Sequence, residues 1–191
     1  MFARTPRLLL RPGWIEDAAA LAEAISEPAV LRNLTRAPAP YGVEDARAFL
    51  SLPQDPHMPR LLAFSRTRGA PRLVGGCSVQ LAEDGTPELG YWIARPYWGL
   101  GFATEAANAV LSMARAAGVS GIRAVHFADN SASGNVLRKI GFRYTGRIER
   151  RYSPARGTHA DCLVLEEGLA RPMMADAAMD VYDDAMPALA A

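Results

Sequence analysis

Apolar residues recur at two different spacings along the chain, and each change of spacing predicts a new element. The run at 8–10 predicts a short strand, closed by Pro12 and Gly13. Ile15, Ala18, Ala22 and Ile25 then fall at helical spacing, with Glu16 and Asp17 in the first turn, where acids complement the dipole. From Ser26 to Gly42 the prolines at 28, 38 and 40 break any period, which predicts a loop or short broken helices. Residues 44–50 give a second helix, stopped by Pro53 and Pro56. Strand-length apolar runs at 61–65, 73–81 and 89–94 are separated by Gly69-Ala70-Pro71 and by Asp84-Gly85, a pattern that predicts an antiparallel meander.

A third helix keeps Ala103, Ala106, Ala107, Val110, Leu111 and Ala114 on one stripe and stops at Gly118. Its small residues suit close packing on a sheet. The strand predicted at 122–127 follows closely enough to form a strand-helix-strand crossover, which favours parallel pairing. A short helix at 131–140 ends at Gly141, and strands at 142–148 and 159–165 close the pattern, joined by an arginine-bearing loop. The fold class is α/β (α+β in other schemes), a mixed and mostly antiparallel sheet with one parallel crossover.

Composition alters this picture little. Half of the 191 residues are apolar, enough for one core, and 21 Lys and Arg against 20 Asp and Glu give no reason to expect extended nucleic-acid or membrane-surface binding. The three leucines near the N-terminus are too short for a signal-peptide core and no segment approaches a bilayer span, so the chain reads as soluble and cytoplasmic. Cys77 and Cys162 stand apart in apolar stretches, as buried reduced cysteines do, and no spacing suggests a metal site. After Ala170 the text turns acidic and rich in Ala and Met. The division is therefore a domain over 1–169 and a tail over 170–191, either disordered or docking on this subunit or a partner.

The stretch from Glu88 to Ala107, ELGYWIARPYWGLGFATEAA, concentrates the candidate chemistry. It reads as strand, glycine turn and helix start. Gly99 and Gly101 allow close approach to the backbone, and the first helical turn offers unpaired N–H groups at the positive end of its dipole, which suits a phosphate or pyrophosphate. The same turn also serves as a plain connection. It lacks the Lys-Ser/Thr pair of a nucleoside-triphosphate loop.

Together with Asn130 to Phe142 (NSASGNVLRKIGF) and the opening TPRLLLRPGWIEDAAAL, this stretch resembles the GNAT superfamily of N-acetyltransferases. The closest branch is that of the ribosomal-protein N-terminal acetyltransferases (RimJ/RimL-like), and the resemblance spans Thr5 to Glu167. It implies a sheet of six to seven strands flanked by about four helices, with a splayed parallel strand pair that holds acetyl-CoA. It implies pyrophosphate binding by the amides of Gly99, Leu100, Gly101, Phe102, Ala103 and Thr104. The pantetheine arm would pair with the strand edge Trp92, Ile93 and Ala94, the Ile93 N–H would meet the thioester carbonyl, and Asn130 would contact the arm.

Two positions depart from that pattern. Trp98 stands where an arginine or glutamine often begins the loop, and Leu137 stands where many members carry a tyrosine that protonates the thiolate. Ser133 is then the candidate acid, with a solvated first-turn serine as its plainer reading, and Asn130 can equally be a helix cap. Glu88 is either a base acting through water or a solvated carboxylate. The implied reaction is direct acetyl transfer from acetyl-CoA to a primary amine, foremost a protein or peptide N-terminus. Small amines are the other acceptor class, and a non-catalytic acyl-CoA sensor is the non-enzyme reading. Dimers are common in the family, so a homodimer is compatible with the resemblance.

Overall fold

The computed structural model describes residues 1–67 and 69–168, so the expected tail over 170–191 lies outside the described residues. One mixed sheet of eight strands runs in the order β1-β2-β3-β4-β5-β6-β8-β7. The strands are β1 (Ala3–Arg4), β2 (Leu8–Arg11), β3 (Arg60–Ser65), β4 (Arg72–Leu81), β5 (Pro87–Ile93), β6 (Arg123–Phe127), β7 (Phe142–Ser153) and β8 (Thr158–Glu167). The two-residue β1 is the strand beyond the expected seven; it pairs with β2 through Ala3 and Arg4.

The helices among the described residues are α1 (Ala18–Ser26), α2 (Pro28–Leu31), α3 (Val43–Leu50), α4 (Phe102–Ala116) and α5 (Ser131–Lys139), with 3-10 turns at Ile15–Asp17 and Arg95–Tyr97. The short α2 is the fifth. It forms inside the proline-rich segment because Pro28 opens it at a position where a missing N–H costs nothing. No helix among the described residues is long and apolar enough to cross a membrane.

Each face of the sheet carries its own apolar cluster. On one face α4 presents Phe102, Ala106, Ala107, Val110, Leu111 and Ala114 to Leu8, Leu10, Val79, Leu89 and Ala124. Alanines at the contact let the helix axis lie close to the strands, and each buried Val or Leu contributes about 1.5–3 kcal/mol. On the other face Leu21, Ala22 and Ile25 of α1, with Ala46 of α3, cover Leu62 and Phe64. Asp17 and Asp45 brace these helices by accepting the backbone N–H groups of Trp14 and Gly42.

The crossover through α4 makes β5 and β6 parallel, as the sequence predicts, yet only two residue pairs join them: Glu88 with Arg123 and Leu89 with Ala124. Beyond Leu89 the strands part and leave a V-shaped seam in the middle of the sheet. The segment expected to be an arginine-bearing loop is mostly strand. Residues Glu149 to Ser153 continue β7 in register with β8, so the connection shrinks to a turn. Arginines alternate there with other side chains, which hides the strand from a reading that looks for apolar runs.

Candidate active site

The glycine turn sits at the open end of the seam. Gly99 and Gly101 have φ of 75° and 80°, in the left-handed region that side chains avoid, and a Cβ built on Gly99 would meet only open space. The first bond of α4 runs from the N–H of Glu105 to the carbonyl of Gly101. The N–H groups of Phe102, Ala103 and Thr104 therefore leave the helix end with no partner inside the helix. Leu100 is exposed at the crest of the turn, while Phe102 anchors its base under the Arg7 guanidinium and the edge of Tyr97.

Arg7 and Glu105 hold this turn in place. Arg7 Nε meets Glu105 Oε2 at 2.6 Å and Arg7 Nη1 donates to the Leu100 carbonyl at 2.8 Å. The Thr5 hydroxyl and the Arg7 backbone N–H complete the ring of donors around Glu105. Burial acts to raise the Glu105 carboxyl, but these hydrogen bonds hold it below the ordinary carboxylate range.

The strand edge is narrower than the resemblance implies. The Ala94 N–H is given to the Val74 carbonyl on β4 at 2.8 Å. Alternation along the strand then turns the Trp92 backbone the same way and leaves the groups of Tyr91 and Ile93 facing the seam. The Trp98 indole N–H, 2.6 Å from the Ile93 carbonyl, ties the turn to the strand end. Trp92 instead contributes its side chain, packed with the cluster on the α1 and α3 face.

Two cavities meet at the seam. A small one of about 110 Å³ lies between β5 and β6 and is bordered by Glu88, Tyr91, His126, Ser133, Leu137 and Arg151. A larger one of about 450 Å³ occupies the α1 and α3 face, walled by Leu34, Tyr41, Phe49, Leu62 and Trp92. Leu34, Thr35, Glu88, Gly90 and Tyr91 border both.

Asn130 caps α5: its side-chain oxygen accepts the Ser133 N–H at 3.2 Å. That bond fixes the first turn, and the Ser133 hydroxyl, half-buried at the seam, lies 2.8 Å from the Tyr91 hydroxyl. Leu137 is fully buried in the α4 cluster and has only packing to offer. Tyr91 thus joins the site through its hydroxyl. Its partner is 42 positions away, so no local pattern could disclose the pairing.

Glu88 stands at the closed end of the seam in an ion cluster. Its oxygens take both Arg151 terminal nitrogens at 2.7 Å and Arg123 Nε at 3.2 Å. Arg123, itself buried, also reaches Asp84 at 2.8 Å. Burial alone would raise the Glu88 carboxyl; the Arg151 hydrogen bonds and the charges of Arg151, Arg123 and Arg36 outweigh it and hold the group low. A carboxylate so held is a poor proton acceptor, and it is not a solvated one either. Both sequence expectations for Glu88 are revised accordingly.

Other charged side chains tie the β7–β8 turn to the end of α2 and to the segment before α5. Arg156, in the β7–β8 turn, makes a paired contact with Asp129 at 2.8 and 2.9 Å and donates to the Arg32 carbonyl, while Arg32 also reaches Asp129. His126 is buried with its ring nitrogens near the Phe127 carbonyl and the Tyr144 hydroxyl, as a core histidine whose polar atoms are satisfied.

Known proteins share this fold. Residues 7–143 match the family model of the acetyltransferase (GNAT) domain. YoaA of Bacillus subtilis (strain 168), an uncharacterised N-acetyltransferase, is 32% identical over 171 residues, covering 82% of this chain and 90% of that protein. A GNAT-family acetyltransferase from Bacillus anthracis superposes with a TM-score of 0.72 at 24% identity, over 87% of this chain and 97% of the other. RimL, the ribosomal L7/L12 α-N-protein acetyltransferase in complex with coenzyme A, superposes with a TM-score of 0.70 at 19% identity, over 87% and 97%. With the family model spanning the loop, the seam and the helix that follows it, the chain belongs to the GNAT acetyltransferases and is an acetyl-CoA-dependent N-acetyltransferase.

Proposed function

We propose that the acceptor is the α-amino group of a protein or peptide N-terminus, presented through the 450 Å³ cavity to a thioester lying in the seam. The observation that carries this reading is the charge state of that cavity. Its two carboxylates are both engaged, Asp45 by the Gly42 N–H and Glu88 by two arginines, while Arg36 and Arg60 bring positive charge to the wall. A polyamine would place a second ammonium where both carboxylates are already engaged. A chain terminus brings one amine, an apolar side chain for the Leu34, Phe49 and Trp92 wall, and carbonyl groups for the arginines.

The chemistry favours the same class. The nucleophile must be neutral, which is easier for an α-amine of pKa about 8 than for a lysine-like amine of about 10.4. With Glu88 held by two arginines, that difference is worth about two powers of ten in reactive amine at neutral pH.

In this reading the Gly99 to Thr104 amides bind the pyrophosphate, with the exposed Trp98 indole beside it. The Ile93 N–H polarises the thioester carbonyl, and Asn130 acts by fixing Ser133 rather than by touching the pantetheine arm. Alignment of the two reactants and stabilisation of the developing oxyanion supply most of the acceleration. RimL, solved with coenzyme A, is itself an α-N-protein acetyltransferase, which supports the same acceptor class here. Cytoplasmic chains are the matching partners, and buried, unpaired Cys77 and Cys162 suit that compartment.

Calorimetric titration with acetyl-CoA, followed by thiol release against peptides beginning with Ala, Ser, Met or Leu and against spermidine and glucosamine, tests the proposal. Release with peptides and not with the polycation is expected. Faster release with spermidine or glucosamine would establish the small-amine reading. Binding with no release from any acceptor would establish the sensor.

A further inference from the structure

Acetyl transfer takes one proton from the attacking nitrogen and gives one to the departing sulfur. In the tetrahedral intermediate both atoms are bonded to the same carbon, so a short chain of hydroxyls can span them. Glu88 is held ionised by Arg151 and Arg123, and Leu137 has no proton to give. Of the hydroxyls that border the seam, those of Tyr91, from β5, and Ser133, from α5, lie within hydrogen-bond distance of each other, while Thr35 stands on the opposite segment.

These two are built as a unit. Tyr91 Oη and Ser133 Oγ are 2.8 Å apart, and Tyr91 Oη is also 3.0 Å from the Ser133 carbonyl oxygen. The phenol has one proton and two acceptors within reach. When it points to the carbonyl, the serine hydroxyl donates to Tyr91; when it turns to Oγ, the serine proton is released toward the seam. Asn130 holds Ser133 through its backbone, and the Tyr91 ring packs against the α4 cluster, so neither oxygen can drift.

We propose that the Tyr91–Ser133 hydroxyl pair is the proton relay of acetyl transfer, carrying the proton from the attacking amine to the thiolate. The amine nitrogen forms its bond to the thioester carbon while the carbonyl electron pair moves to oxygen. On collapse the C–S bond breaks with its electron pair on sulfur. The nitrogen's proton passes to one hydroxyl oxygen, that hydroxyl's own proton to the second, and the second's proton to sulfur. Each oxygen gains one proton and loses one, so no charge is left in the seam and no free base is required. Burial raises the Tyr91 phenol against the lowering effect of its Ser133 hydrogen bond, so it stays protonated across the neutral range.

The relay rests on the α-amine reading, and the experiment separates the two. The full chain is assayed for thiol release from acetyl-CoA with glycinamide, a minimal α-amine, alongside Tyr91→Phe, Ser133→Ala, the double variant and Tyr91→3,5-difluorotyrosine. Each single substitution is expected to lower kcat about 100-fold while the Kd for acetyl-CoA moves by less than about threefold. The double variant should be no slower than the slower single one, because either change breaks the same chain. Difluorotyrosine keeps the shape and lowers the phenol pKa, so the alkaline limb of kcat should move to lower pH. A structural hydrogen bond would leave that limb in place. Turnover of Tyr91→Phe within about twofold of the parent, or an unmoved alkaline limb, overturns the relay alone. No release by the parent chain overturns the α-amine reading and the relay with it.

Discussion

Arg151 grips Glu88 with both terminal nitrogens, each 2.7 Å from a carboxylate oxygen, at the point where β5 and β6 are still joined. The pair is mostly buried and shared with Arg123; its removal leaves Arg151 with Glu149 and Arg123 with Asp84 as their remaining anions. Glu88→Gln should cost about 1–3 kcal/mol of stability, read from denaturant unfolding, because hydrogen bonds to a charged group are lost while those partners compensate in part. Its kcat should fall by less than about tenfold, where loss of a general base costs about 10² to 10⁴.

The same pair sets an acid limb. The folded Glu88 carboxyl lies below its ordinary value of 4.5. Its contribution to stability is therefore complete above that pH and disappears as pH falls through the folded value, because protonation removes the charge the arginines hold. Unfolding free energy followed from pH 6 down to pH 3 should drop along a limb that Glu88→Gln lacks. Parallel curves for the two proteins would show that Glu88 carries none of it.

At the glycine turn, Gly99→Ala and Gly101→Ala force a side chain into φ of 75° and 80°. Each should cost about 1–2 kcal/mol. If these amides bind the pyrophosphate as proposed, acetyl-CoA affinity measured by calorimetry should weaken about tenfold. Gly118→Ala, at the far end of α4 with φ of 86°, should lose similar stability and keep the affinity.

Arg7→Ala removes the strut between the turn and Glu105. Acetyl-CoA affinity should fall several-fold while the rate at saturating cosubstrate changes little, since in the proposed role the strut positions the pyrophosphate turn and stands away from the reacting atoms. Equal loss in both would place Arg7 closer to the chemistry.

Gly134→Ala tests the packing under α5. A Cβ there would overlap the Tyr144 hydroxyl and lie 2.9 Å from His126 Nε2. The exposed Tyr144 ring can swing away, but the buried His126 ring that it bonds must shift as well, so a loss of about 1–3 kcal/mol in unfolding free energy is expected.

The sequence disclosed what local patterns encode. The glycine turn, the stripe of α4, the parallel crossover and the Asn130 cap were all legible because each depends on residues within one element or its immediate flank. What stayed hidden depends on distant partners. Glu88 meets Arg123 and Arg151 from 35 and 63 positions away, and these partners decide whether it is a base or an anchor. Tyr91 looks like any aromatic on a half-buried strand until the seam brings it to Ser133. The second half of β7 was missed because charged residues alternate along it, whereas the four-residue α2 is one of the short broken helices expected around Pro28.

The seam also changes what binding does to the protein. Among the described residues β5 and β6 share two backbone pairs, with an ion cluster beside them and α4 packed beneath, so the sheet is two leaves sewn together at one end. A pantetheine arm laid along Ile93 would act as a temporary strand between them, and each turnover would remove it again. Amides of β6 and the outer strands should therefore exchange hydrogen more slowly with acetyl-CoA bound, including those that never touch it. In such a molecule the cosubstrate is also a structural member, and the cycle of catalysis is a cycle of closing and reopening a gap in the fold.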